Sequence, residues 1–221
     1  MIGTDQLIKD REFFLSALLK GNRKQGSEIA HKYSNSQDDI KLFYEQVVKS
    51  SLYKVGELWE YNTITVAAEH LATSLSESIM NELYEMVISE NRVSKKTVLG
   101  CVENEMHQVG IKMVADIFEM HGWDTFFLGT NIPTSELINY SLDVKPEIIA
   151  LSLTVYSHLP LLEKMIREIQ SKLPETQIIV GGQAFLHGGT DVLTAYRKVK
   201  VFKTFSEIED FILNTYPYES K

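Results

Sequence analysis

The sequence predicts an α/β protein in two parts: an N-terminal all-α helical bundle, then a flavodoxin-like, doubly wound domain on a parallel sheet. Three observations carry that expectation. Residues 1–92 place apolar side chains at helical spacing and contain no convincing strand and no proline. Residues 93–221 alternate short apolar runs with amphipathic stretches, the pattern of βαβ units. Between them SENRVSKK, 89–96, is polar and reads as a linker.

The helical stripes run in order. Leu7, Phe14, Leu18 and Leu19 form the first, and Ile29 with Tyr33 the second. Ile40, Phe43, Tyr44 and Val47 form another, continued by Leu52, Val55, Leu58 and Trp59. A long last pattern from about Thr65 to Ile88 uses Val66, Leu71, Leu75, Ile79, Leu83 and Val87, with Asn62 and Thr63 as candidate N-caps. In the second part TVLGCV, DTFFLG, EIIALSL and TQIIVGG read as strands, with VKVFKT as a fifth. Helices are expected from about Met106 to Met120, closed at His121-Gly122, from near Pro133 to Leu142, from Leu159 to Leu173, and over SEIEDFILNTY.

Composition narrows the function. Hydrophobic residues make up 44% of 221, enough for a substantial core. Asp plus Glu outnumber Lys plus Arg by 30 to 22, a net charge of −8, so direct nucleic-acid contact is not expected. The N-terminus lacks a signal-peptide pattern, and no apolar run approaches the ~20 residues of a membrane helix. The single cysteine, Cys101, excludes an internal disulfide and fits a reducing cytoplasm. There is no P-loop and no nucleophile–base constellation, so catalysis by the isolated chain is not expected.

In a doubly wound sheet, ligands bind beyond the carboxyl ends of the strands at the topological switch point. Those ends carry Glu105, His107 and Gly110 after the first strand, Ser152 and Thr154 after the third, and Gly181-Gly182 after the fourth. A neutral imidazole suits a transition metal, and a ligating histidine usually gives its other N–H to a carboxylate, which Glu105 can supply. Gly110 leaves room for a bulky group, and paired glycines leave a groove free of side chains. One histidine makes no closed metal site, so the metal is expected to arrive inside a cofactor. Of the remaining histidines, His31 and His187 read as surface residues and His121 as a helix C-terminal residue, while His158, at a helix start, reads as a surface residue with covering the pocket as the weaker alternative.

E-x-H-x-x-G, then 41 residues, then S-x-T, with 28 residues between its Ser152 and the first glycine of GG, resembles the cobalamin-binding signature. The resemblance implies that His107 ligates cobalt from below with Glu105 as its partner. It also implies that the nucleotide tail leaves cobalt and lies along Ser152, Thr154, Gly181 and Gly182. In the helical part Trp59, then nine residues, then Glu69-His70 is similar to the Trp–Glu–His set of light-sensing cobalamin photoreceptors of the CarH type. That resemblance covers about residues 5–215. It implies a bundle that caps the upper face of the corrin, with Trp59 against an adenosyl group, Glu69 hydrogen-bonded to it, His70 beside it and Val66 on the same face.

Two departures qualify it. The helix-turn-helix DNA-binding domain with which the familiar repressor begins is not expected in this chain, in keeping with its acidic charge. Glu60 stands where those photoreceptors carry the histidine that takes cobalt after illumination, so a bis-histidine light product is not implied. The expectation is an adenosylcobalamin-binding sensory or regulatory protein that acts by cap movement or a change of homo-oligomer, with an unidentified protein partner for output. The alternative is a corrinoid methyl carrier serving partner methyltransferases.

Overall fold

The computed structural model describes residues 3–186 and 188–216; His187, expected at the surface, lies outside them. The chain divides into two compact units, one ending at Ile88 and one beginning at Ser89.

The first unit is helical because its stripes close on one another. It comprises α1 (Thr4–Leu19), α2 (Arg23–Ala30), α3 (Gln37–Phe43), α4 (Lys49–Glu60), α5 (Val66–Asn81) and the short α6 (Tyr84–Val87). A wide π turn, Tyr44–Val48, joins α3 to α4 without breaking the helical path. Phe14, Leu18, Tyr33, Ile40, Phe43, Val47, Ile79 and Leu83 are wholly buried, and Phe14 meets Phe43 edge to face at 5.3 Å. Inside this core Asp10 is held by the Lys32 ammonium at 2.5 Å and the Tyr33 hydroxyl at 3.1 Å. Burial, with Asp10 alongside, pushes the Tyr33 phenol well above its ordinary range.

Two expectations for this unit need correction. The long helix to Ile88 stops at Asn81, where Glu82 is drawn onto Arg23 and Ser27 of α2, and α6 is a separate turn. Asn62 and Thr63 do not cap α5. Asn62 sits at φ 55°, and the bonds Asn62 N to Trp59 O and Thr63 N to Leu58 O close α4 instead. The cap of α5 is Thr65, whose hydroxyl accepts from Ala68 N at 3.2 Å. Trp59, Val66 and Leu71 are about half exposed.

The second unit holds, among the described residues, a five-stranded parallel sheet in the order β2-β1-β3-β4-β5. Its strands are β1 (Lys96–Cys101), β2 (Asp124–Gly129), β3 (Ile148–Ser152), β4 (Gln177–Gly181) and the short β5 (Val199–Val201). The connecting helices are α7 (Val109–Met120), α8 (Thr134–Val144), α9 (Leu159–Lys172), the short α10 (Thr190–Leu193) and the closing α11 (Phe205–Thr215). β1, β3 and β4 are central and almost wholly apolar, as strands covered on both faces must be. Capping is explicit at α11, where the Thr204 hydroxyl and the Glu207 carboxylate satisfy each other's backbone N–H.

The polar stretch 89–96 is not a free linker. Ser89 N donates to Glu119 O, Val93 N donates to Gly122 O, and Arg92 ties to Glu119, Asp124 and the Trp123 carbonyl. Lys96 already belongs to β1. The fifth strand is three residues rather than the six of VKVFKT.

Candidate functional site at the strand ends

β1 has β2 on one side and β3 on the other, so the chain reverses direction across the sheet between β1 and β3. The register sets three strand ends abreast: Cys101 opposite Ser152, and Ser152 opposite Gly181. Thus the three pieces of the signature, far apart in sequence, share one edge of the sheet. Val102 N to Ser152 O and Leu153 N to Gly181 O carry the ladder one bond past the strands.

The loop after β1 turns sharply. Asn104 takes φ 67°, and Glu105 N donates to Val102 O at 2.8 Å, sending the Glu105 side chain back into the switch point. α7 starts at Val109, not at Met106 as expected. The difference matters: residues two apart do not face one another on a helix, whereas off the helix Glu105 and His107 meet. His107 Nδ1 lies 2.5 Å from Glu105 Oε1. The carboxylate is 1% exposed, and the imidazole of His107 is half exposed.

Every oxygen of Glu105 is occupied. Oε1 also accepts from Met106 N at 3.2 Å, and Oε2 accepts from Thr154 N at 3.0 Å and Val155 N at 2.9 Å. Burial opposes the charge, but the His107 bond and the two backbone N–H groups prevail and hold the carboxyl at about 2, from an ordinary 4.5. Glu105 therefore joins the β1 and β3 loops and orients the imidazole through Nδ1, leaving Nε2 as the nitrogen that suits a metal. The neighbouring Glu103 accepts from Thr134 Oγ1 at 2.6 Å and Thr134 N at 3.2 Å, which pins the start of α8 to the same loop.

The glycines divide into two kinds. A Cβ on Gly110, in the first turn of α7, would meet nothing within 4 Å, so the fold itself does not demand glycine there. Gly182 stands at φ 121°, and a Cβ would run into the Leu153 backbone, so the fold does demand it. Ser152 is buried and Thr154 half-buried at the β3 end; Gly181 is half-buried and Gly182 exposed at the β4 end. The arrangement fits a corrinoid: one oriented imidazole, open space over the α7 start, and a β3–β4 edge with little side chain.

In the helical unit Trp59 ends α4 and is 48% exposed, while Val66, Glu69 and His70 occupy the first turns of α5 beyond the turn 61–65. Val66 and His70 are one turn apart and share a face. Glu69 is mostly buried, accepts from Thr73 Oγ1 at 2.9 Å and contacts His70 Nδ1, while His70 is largely exposed. Trp59 and Val66 thus keep apolar surface that the bundle core does not use.

Sequence reasoning missed several neighbours. Met106, Val155, Tyr156 and Leu186 expose apolar side chains on the loops after β1, β3 and β4. His158, expected at the surface, is 30% exposed and places Nδ1 3.7 Å from Glu105 Oε2. The available signal was its position, four residues past the S-x-T element at the start of a helix.

Residues 95–203 and residues 11–84 match two families, each described as a B12 binding domain. The HTH-type transcriptional repressor CarH of Myxococcus xanthus is 26% identical over 176 residues, 79% of this chain and 58% of that protein. Trimethylamine corrinoid protein 1 of Methanosarcina acetivorans is 26% identical over 141 residues, 62% of this chain and 64% of that protein. The chain therefore spans less than two thirds of the length of either relative. The monomethylamine corrinoid protein of Methanosarcina barkeri shares the fold, with a TM-score of 0.75 over 94% of this chain and 99% of that one at 12% identity. Among the described residues, no helix is long and apolar enough to cross a membrane.

Proposed function

The chain belongs to a cobalamin-binding family, and from that premise we propose that it is a sensory or regulatory protein that holds adenosylcobalamin through His107. The observation that carries the cofactor role is the Glu105–His107 pair at the switch point, with its carboxylate buried and its imidazole half exposed. The observation that favours the sensor is the Trp59, Val66, Glu69 and His70 set, which keeps apolar surface and a Thr73-braced carboxylate available on the helical unit.

Each residue then has a task. His107 would hold the cofactor's metal through Nε2, and Glu105 would fix its tautomer and raise its donor strength. Gly110 admits the macrocycle's edge, and Ser152, Thr154, Gly181 and Gly182 line the path of the nucleotide tail. Trp59 and Val66 pack against the adenosyl group, Glu69 accepts from it, and His70 lies beside it. When bound, the cofactor supplies a cobalt–carbon bond that light or chemistry can break. Trp59, Val66 and Glu69 would then lose a partner, which would change which arrangement of the chain is favoured and give a protein partner a difference to read. Neither role makes the isolated chain a catalyst.

A second reading is kept because methyl-carrying relatives resemble the chain about as well as the repressor does: a corrinoid carrier that presents a methyl group to partner methyltransferases. One experiment separates them. The chain is mixed with adenosylcobalamin, freed of unbound cofactor, and its absorbance recorded before and after green light beside His107→Ala. A retained His-on spectrum that photoconverts, and that is lost in the variant, is the expected result. Retention with no preference for adenosyl over methyl favours the carrier. No retained corrinoid overturns both readings.

A further inference from the structure

We propose that His158 is a positioning residue for the metal-ligand pair, a second imidazole that shares the Glu105 carboxylate with His107. The inference rests on the cofactor role of His107 given above. His158 Nδ1 lies 3.7 Å from Glu105 Oε2, on the opposite oxygen from His107. That Nδ1 is buried and, among the described residues, has no hydrogen-bond partner. An orphaned buried polar atom is costly and calls for an explanation.

The local fold supplies one. The segment from Thr154 to His158 wraps the carboxylate: Thr154 N and Val155 N donate to Oε2, and His158 N donates to Val155 O at 2.9 Å, which closes the turn. The ring is thereby delivered to the start of α9 with Nδ1 turned toward an ionised oxygen. A bare lone pair there would face negative charge, so electrostatics assigns the proton to Nδ1 and the lone pair to Nε2. A small ring rotation brings the N–H into hydrogen-bond range.

Glu105 is already oriented by four donors, so its geometry does not depend on His158. The effect of His158 is electronic. Its N–H draws charge toward Oε2 and away from the oxygen that holds His107, which weakens the carboxylate's pull on the His107 proton and makes that imidazole a weaker metal donor. His158 thus moderates the strength of the axial bond rather than creating it.

The test has two arms on the full chain. Without cofactor, nitrogen-15 spectra of the histidine side chains at neutral pH are expected to show His158 as the Nδ1–H tautomer. In His158→Phe the His107 ring nitrogens are expected to shift, while backbone amides of the sheet core stay in place. His158→Gln, which retains a donor, is expected to restore part of the wild-type His107 shifts. An Nε2–H tautomer, or His107 nitrogens unmoved in His158→Phe, overturns the contact.

With adenosylcobalamin bound, the ratio of His-on to His-off spectra is expected to rise in His158→Phe by on the order of tenfold, the scale on which partners of metal ligands act. An unchanged or lower ratio overturns the moderating role. A wild-type chain that retains no corrinoid defeats the proposed function instead, and the cofactor-free spectra still decide the His158 contact.

Discussion

Glu105 shows how one buried side chain can join two loops and prepare a third group for chemistry. Its carboxyl titrates at about 2 rather than 4.5, so folding gains from its charge at every pH above the ordinary value. The sign follows: the contribution is complete above 4.5 and fades as pH falls from there through 2. A shift of that size is worth roughly 3–3.5 kcal/mol. Glu105→Gln is therefore expected to lower the urea-unfolding free energy of the cofactor-free chain by about that amount at pH 7, with the gap to wild type narrowing below pH ~4.5. A gap that stays constant down to pH ~2.5 contradicts the assignment. The Glu105–His107 pair was legible in sequence because both partners lie within one short motif. For His158 only its place at a helix start past S-x-T was legible; its approach to the carboxylate was not, because that depends on the turn that closes between Val155 and His158.

The helix starts and strand ends carry the next set of consequences. Gly110 and Gly182 look alike in the sequence and differ in what surrounds them. Gly110→Ala is expected to leave the cofactor-free chain as stable or to stabilise it by about 0.5–1 kcal/mol, as alanine does in a helix. It is also expected to weaken corrinoid retention, measured by equilibrium dialysis. Gly182→Ala is expected to cost about 2 kcal/mol or more in the cofactor-free chain, because its backbone is strained for alanine and Leu153 blocks the methyl. Equal stability losses in both variants would remove the argument that Gly110 serves a ligand. At this scale periodicity located nearly every helix and strand, and the errors fell at the ends. Asn62 has the chemistry of an N-cap and serves as a left-handed helix stop, a choice settled by the bonds to Leu58 and Trp59. The α7 start was placed three residues early because Met106, His107 and Gln108 tolerate a helix, while Glu105 holds that stretch off it.

For the molecule as a whole, two compact units mean that unfolding need not be a single step. A ligand at a hundred times its dissociation constant stabilises the folded state by about 2.7 kcal/mol, equivalent to roughly 5–10 °C in a chain of this size. Adenosylcobalamin is expected to raise the melting of both units in a calorimetric scan, because proposed contacts come from both, and His107→Ala is expected to shrink the rise. A shift confined to the sheet unit would overturn the role of Trp59, Val66, Glu69 and His70. The alternation of strands and helices made the fold class legible, but the half exposure of Trp59 depends on tertiary packing that no stripe reveals. The alignment of Cys101, Ser152 and Gly181 also bears on how such a chain can change over generations. The register does not itself fix the intervals between the three motif pieces. Helices between them can lengthen, shorten or exchange surface residues as long as the strands keep step. A one-residue slip in β3, by contrast, would move every one of its side chains to the other face of the sheet and part Thr154 and Val155 from Glu105. Tolerance to insertion and intolerance to slippage thus coexist within a few residues of each other.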